Sequence, residues 1–192
     1  SFPTRRSSDL DWSSIEAYPD DATDDAGPGD QNWLRVSLAH DDDNVYLRLV
    51  RANNSTGFAS DVSATTSGGL GYWVILDTDR NAATGLRSAG GRSFAVGGEF
   101  NFGGALALNH WSTGGGWLGA VPFTQAGSGR ELELAVSRST LGSPSVIRLI
   151  LVGETSGDYY PAHADTTDYF EYQLSIPPVL PVGLIALRSN PV

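Results

Sequence analysis

After the apolar run 70–76 the chain reads Asp77-Thr78-Asp79-Arg80-Asn81-Ala82-Ala83-Thr84-Gly85. Asp77, Asp79 and Asn81 carry short oxygen-bearing side chains at i, i+2 and i+4. As a chain turns off a strand, three such oxygens can converge on one point. A hard cation such as Ca²⁺ takes roughly six to eight oxygens of this kind. The loop is not an EF-hand, because its sixth position is Ala82 rather than Gly and its twelfth is Ser88 rather than a bidentate Glu. A second reading needs no metal: Asp and Asn side chains in a turn bond nearby backbone N–H groups. From the sequence, calcium and a plain polar turn both fit the loop.

Other chemistries lack their residues. There is no Cys, so disulfides, thiolate metal sites and a Cys nucleophile are excluded together. Haem needs axial His or Met. Met is absent, and His40, His110 and His163 fall on turns and strand ends. A glycosidase needs two carboxylates across a scissile bond. Glu131 and Glu133 lie two residues apart on one strand, as on an exposed strand face. No spacing suggests a Ser/His/Asp constellation. The sequence therefore reads as a non-enzyme.

Aromatic placement suggests a different role. Trp111 and Trp117 flank Gly114-Gly115-Gly116, a loop that favours exposed rings. A pyranose has an apolar face that stacks on Trp, and hydroxyls that bond carboxylates and amides. Glu99 and Asn101 share one face of a short strand and are candidates for such bonds, although water is the simpler neighbour for both. Trp73 sits within a buried run and reads as core. Trp12 and Trp33 read as covers for an edge or end of the fold.

The elements that must carry these residues are strands. The dominant period is two. Residues 33–39 and 44–50 alternate on either side of His40-Asp41-Asp42-Asp43-Asn44, which predicts a β-hairpin. The three adjacent Asp residues fit a solvated tip better than a metal site. Residues 70–76 are apolar on both faces and predict a central strand. Further strands are expected near 93–96, 98–102, 105–109, 130–136, 146–152 and 169–176. The one helical hint is a single turn at 137–141. About ten short strands with Gly-rich turns predict an all-β, jelly-roll or immunoglobulin-like β-sandwich.

Charge and ends set the remaining limits. The 192 residues carry a net charge of −10, and all twelve basic residues are Arg. Such a chain is unsuited to nucleic acid or an anionic membrane. No apolar run is long enough to span a bilayer. Residues 1–10, Ser-Phe-Pro-Thr-Arg-Arg-Ser-Ser-Asp-Leu, resemble the in-frame translation of a short-read sequencing adapter. They are expected to be a disordered artefact, and removing their net +1 leaves −11. Asn53 and Asn54 each begin an N-x-Ser/Thr sequon, relevant only to a eukaryotic secretory route. Residues 177–192 read as a Pro-rich linker and the start of a following segment. That segment resembles the opening of small β-domains in secreted bacterial proteins, which implies export or display at the bacterial cell surface.

The order of the pieces across residues 11–176 resembles the family 9 carbohydrate-binding module and its look-alikes. The pieces are Asp11-Trp12, Asp30, His40-Asp-Asp-Asp-Asn-Val-Tyr-Leu47, Asp77-Thr-Asp79 with Thr84-Gly85, Gly98-Glu99-Phe100, the run 131–142, and Gly157-Asp158-Tyr-Tyr-Pro161. The resemblance implies a jelly-roll-like sandwich, structural calcium and a sugar held between aromatic rings, though no residue here is assigned to those rings. The expected role is a noncatalytic carbohydrate-binding module, taking a poly- or oligosaccharide beside catalytic or sorting domains of a longer chain. The alternative is a calcium-stabilised structural or adhesive sandwich that binds no sugar.

Overall fold

The computed structural model describes residues 11–15, 33–51, 72–89, 92–103, 107–126, 131–153, 159–160 and 169–174. The 1–10 segment, the two sequons and the tail 177–192 lie outside the described residues. Among the described residues, thirteen strands and one 3₁₀ turn at Trp12–Ser14 make up the regular structure. The strands are β1 (Trp33–His40), β2 (Asn44–Arg51), β3 (Tyr72–Asp77), β4 (Leu86–Ala89), β5 (Arg92–Gly98), β6 (Phe100–Gly103) and β7 (Ala107–Trp111). They continue with β8 (Trp117–Val121), β9 (Thr124–Ala126), β10 (Glu131–Ser137), β11 (Val146–Gly153), β12 (Tyr159–Tyr160) and β13 (Phe170–Gln173).

Every pairing among the described strands is antiparallel. One sheet runs β1-β2-β10-β9 and the other runs β12-β11-β3-β6-β7-β8, with β13 also on β11. The chain passes between these sheets from β2 to β3, from β8 to β9 and from β10 to β11. The fold is an all-β sandwich, as the period-two pattern predicts.

Alternation decides what lies between the sheets. Val36 and Leu38 of β1, Val45, Leu47 and Leu49 of β2, and Leu132, Leu134 and Val136 of β10 face inward from one side. Val74 and Leu76, Phe100 and Phe102, Leu108, and Ile147, Leu149 and Leu151 meet them from the other. A cavity of about 20 Å³ at the centre is lined by apolar side chains, including Leu38, Leu76, Phe102 and Leu134.

β3 is central, and its second apolar face is used as well. Ile75 joins Ile150 under the β4–β5 hairpin, where Phe94 and Val96 cover it and Trp73 and Leu86 pack alongside. Trp73 is therefore partly buried on the outer face of the larger sheet. On the opposite side of the sandwich, Trp12 packs on Ala39, Tyr46 and Ala135. This corrects the expectation that Trp12 caps an edge or end: it covers the outer face of the smaller sheet, where small Ala side chains leave room for an indole. The side chain of Trp33 is outside the described residues.

The hairpin tip behaves as a polar turn. The Asp41 carboxylate accepts from the N–H groups of Asp43 and Asn44 at 2.9 and 2.7 Å and from the Tyr46 hydroxyl at 2.7 Å. The helical hint at 137–141 is one turn closed by a Schellman motif. Ser143 N–H reaches Arg138 O, Gly142 N–H reaches Ser139 O, and Gly142 has φ +80°.

Candidate metal centre and aromatic row

Strand register assembles a line of residues that the sequence keeps far apart. Glu171 pairs with Arg148, Arg148 with Asp77, and Trp111 with Trp117. Leu76 pairs with Phe100 and Phe100 with His110. One residue further along, Glu99 falls between Asp77 and Trp111, and Trp111 N–H donates to Glu99 O at 2.8 Å. Glu171, Arg148, Asp77, Glu99, Trp111 and Trp117 thus form one cross-strand row on the outer face of the larger sheet. Such neighbours are close enough for their side chains to interact.

Carboxylates cluster in the middle of this row. Oxygens of Asp77, Asp79 and Glu99 all lie within 4.8 Å of one another. Asp77 is fully buried at 0% exposure and Glu99 is 8% exposed, whereas Asp79 is open to solvent. The loop makes the turns expected of its residue types. Asp77 Oδ1 accepts from Arg80 N–H at 2.6 Å, Asp79 Oδ1 from Asn81 N–H at 2.8 Å, and Asn81 Oδ1 from Ala83 N–H at 3.1 Å. Glu99 reaches up from β6 and accepts from Thr78 N–H at 2.8 Å.

Two details go beyond a polar turn. Asp77 Oδ2 is buried and has no hydrogen-bond partner. A lone buried carboxylate oxygen is costly unless something positive meets it. The Thr84 hydroxyl lies 2.8 Å from Glu99 Oε1, 3.0 Å from Asp79 Oδ2 and 2.7 Å from Asn81 O. One hydroxyl hydrogen cannot serve three acceptors. The cluster is thus rich in oxygen and poor in protons, with no nitrogen or sulfur donor in the group. That donor set fits a hard divalent cation.

Electrostatics agrees with the geometry. Burial, first, and the neighbouring charges of Glu99 and Asp79 push the Asp77 carboxyl up to about 6, against a lowering by the Arg80 N–H bond and by Arg148. A cation among the three carboxylates would reverse that balance.

The surrounding fold holds the loop in place. Arg80 sits in the left-handed region at φ +62°, an uncommon state for a side chain of its size. Its N–H is held by Asp77, and its carbonyl accepts from Arg148 Nη1 at 3.2 Å. Arg148 is fixed in turn by Glu171 at 3.1 Å and by the Tyr169 ring, 4.6 Å from its guanidinium carbon. Beneath the loop lies Gly97, where a Cβ would collide with the carbonyl oxygens of Asn81 and Thr84. Gly85, at φ +61°, packs directly on the backbone of Gly98 and Glu99.

The aromatic end of the row is partly open. Trp117 is 61% exposed, and its neighbour Leu118 is 59% exposed. A register shift between His110 and Trp111 leaves Leu118 as an extra residue in β8, so two successive side chains reach solvent. Trp111 is half-buried, and its indole N–H donates to Asn101 Oδ1 at 2.7 Å. Trp117 donates likewise to Asn109 Oδ1 at 3.2 Å.

The structure therefore distributes the sequence candidates differently from their expected grouping. Asp77 and Asp79 converge, and the Glu99 carboxylate joins them; the Asn81 side-chain oxygen accepts from Ala83 N–H in the same loop. The Glu99 carboxylate sits with the acidic loop, while its backbone carbonyl bonds Trp111 N–H. Neither Glu99 nor Asn101 faces water, which corrects that expectation: Asn101 is 4% exposed and orients Trp111. Asn109 and Thr84 were not among the sequence candidates. Only the strand register and the fold of the loop bring them to the site.

Comparison with protein-family profiles, curated proteins and solved structures yields no match for this chain.

Proposed function

We propose that this domain is a noncatalytic carbohydrate-binding module of a larger secreted or cell-surface protein, carrying a structural calcium ion at Asp77, Asp79 and Glu99. The observation that carries the reading is the exposed indole of Trp117 next to half-buried Trp111. Each is fixed through its N–H by an Asn, on one open sheet face. An indole locked in orientation offers a flat apolar surface to a pyranose at little entropic cost. Asn109, half-buried beside the Trp117 ring, has an amide N–H₂ that can meet a sugar hydroxyl.

Catalysis is a poorer account of the same residues. Asp77 and Glu99 are buried under the loop, so a glycosidic bond has no access between them. The motif order that resembles family 9 modules agrees with a binding role. A poly- or oligosaccharide is the partner proposed, with catalytic or sorting domains elsewhere in the same chain.

The test is retention on insoluble glycans and affinity electrophoresis in soluble ones, with calcium present. Trp117→Ala is expected to abolish retention while the melting temperature holds. If no glycan retains the protein, the second reading takes over: a calcium-stabilised structural or adhesive sandwich. That reading has its own support in the unpartnered Oδ2 of Asp77, which requires only the cation.

A further inference from the structure

We propose that the cation orders the aromatic platform, so that ligand binding at Trp111 and Trp117 depends on occupancy of the Asp77, Asp79 and Glu99 cluster. The inference rests on the cation and platform of the preceding section, and joins them through two contacts and the charge balance of the loop.

Glu99 is the first. Its carboxylate belongs to the cluster, while its carbonyl accepts from Trp111 N–H at 2.8 Å. One residue thus touches both the cation site and the backbone of the platform. Asn101, two residues along the same strand face, holds the Trp111 indole at 2.7 Å. A shift of β6 at Glu99 moves both anchors of Trp111 together.

The second contact is between loops. Gly115 packs so closely on the acidic loop that a Cβ there would stand 3.1 Å from Gly85 O. Gly115 lies in the turn joining β7 to β8, at φ +80°, and its N–H donates to Ser112 O at 2.8 Å. The same turn is closed by Ser112 N–H to Gly116 O at 2.8 Å and Gly116 N–H to Ser112 Oγ at 3.0 Å. Trp117 follows at once. The acidic loop therefore buttresses the turn that presents the exposed ring.

The third element is the loop's own dependence on charge balance. Without a cation, three carboxylates crowd within 4.8 Å and one buried oxygen is unmet. Mutual repulsion then favours an opened loop. Opening withdraws Gly85 from Gly115 and frees the Glu99 end of β6. With a divalent cation the carboxylates attract a common centre, and the buttress closes. Binding energy at one site is thereby expressed as order at the other. By linkage, a ligand on the platform must raise cation affinity by the same factor.

The test begins without any glycan. Calcium chloride is titrated into chelator-treated full-length chain while calorimetry follows binding. In parallel, amide hydrogen exchange of residues 111–117 and Trp emission are recorded for wild type, Trp111→Phe and Trp117→Phe. Cation binding should slow exchange in the 112–117 turn about tenfold, within the usual range for coupled sites. The emission change should shrink in the two Trp variants. Glu99→Gln should lose both the binding heat and the exchange effect.

A measured binding heat with unchanged exchange and emission at 111–117 would overturn the coupling and leave the cation reading standing. No binding heat at millimolar calcium would remove the cation reading and this inference with it. A glycan that binds equally well in chelator and in calcium would overturn the coupling while leaving the platform reading intact.

Discussion

Replacing Asp77 by Asn should reverse its effect on stability with the presence of calcium. In the folded, metal-free chain Asp77 is fully buried, and burial first, then Glu99 and Asp79, raises its carboxyl from 3.8 to about 6. Its folded pKa is therefore above its unfolded one. The contribution of Asp77 to metal-free stability is fullest below about pH 4, is lost as pH rises through about 6, and stays lost above that. A shift of about two units corresponds to about 3 kcal/mol that ionised Asp77 takes from the metal-free fold at pH 7. Asn keeps the acceptor for Arg80 N–H, and it turns an amide N–H₂ toward the Asp79 and Glu99 carboxylates. In chelator at pH 7, Asp77→Asn should melt higher than wild type. At about 2–4 °C per kcal/mol for a chain of this size, the gain is about 6–12 °C.

Calcium changes the order. At a hundred times its dissociation constant it adds about 2.7 kcal/mol to wild type, but little to a variant lacking a central ligand. The assay is a set of calorimetric melts of both proteins at pH 4, 5, 6 and 7, in chelator and in millimolar calcium. The two chelator curves should converge near pH 4. If Asp77→Asn melts lower than wild type in chelator at pH 7, and calcium shifts neither protein, the cation argument fails. The loop is then a polar turn whose buried oxygen is met in some other way.

Gly97→Ala puts a methyl into the carbonyl oxygens of Asn81 and Thr84, and should cost about 1–3 kcal/mol and weaken calcium binding, as read by calcium-dependent melts. Leu134→Ala removes a fully buried core side chain and should cost about 2–5 kcal/mol in chemical denaturation. Trp117→Ala removes a ring that is mostly in solvent. It should change stability by no more than about 0.5 kcal/mol while eliminating glycan retention.

The sandwich was readable because its two layers are written in the chain itself. Alternation over 33–50 fixes the β1–β2 hairpin, and the apolar run ending at Leu76 marks β3 as buried on both faces. The Asp-rich tip between β1 and β2 carries its own turn chemistry. Short strands were harder to see. β4, β8 and β9 are brief, and β8 runs along a sheet edge where few positions are buried. Burial imposes alternation, so where burial is slight the pattern fades.

Local sequence also determined that residues 77–85 gather oxygen, since a turn rich in Asp and Asn does so whatever surrounds it. What it could not supply was Glu99. That residue is twenty-two positions away in the chain, and it reaches Asp77 only because β3 pairs with β6 in the register Leu76 to Phe100. Register between strands that are not consecutive depends on which inner-face side chains fit together, and no local spacing records it. The same holds for the two tryptophans. Flanking a glycine turn identified both, but the extra residue at Leu118 and the partners Asn101 and Asn109 decide their exposure and orientation. The sequence by itself determined the kinds of groups available to this domain. Tertiary structure decided their grouping, bringing the Glu99 carboxylate to the acidic loop while its backbone bonds Trp111.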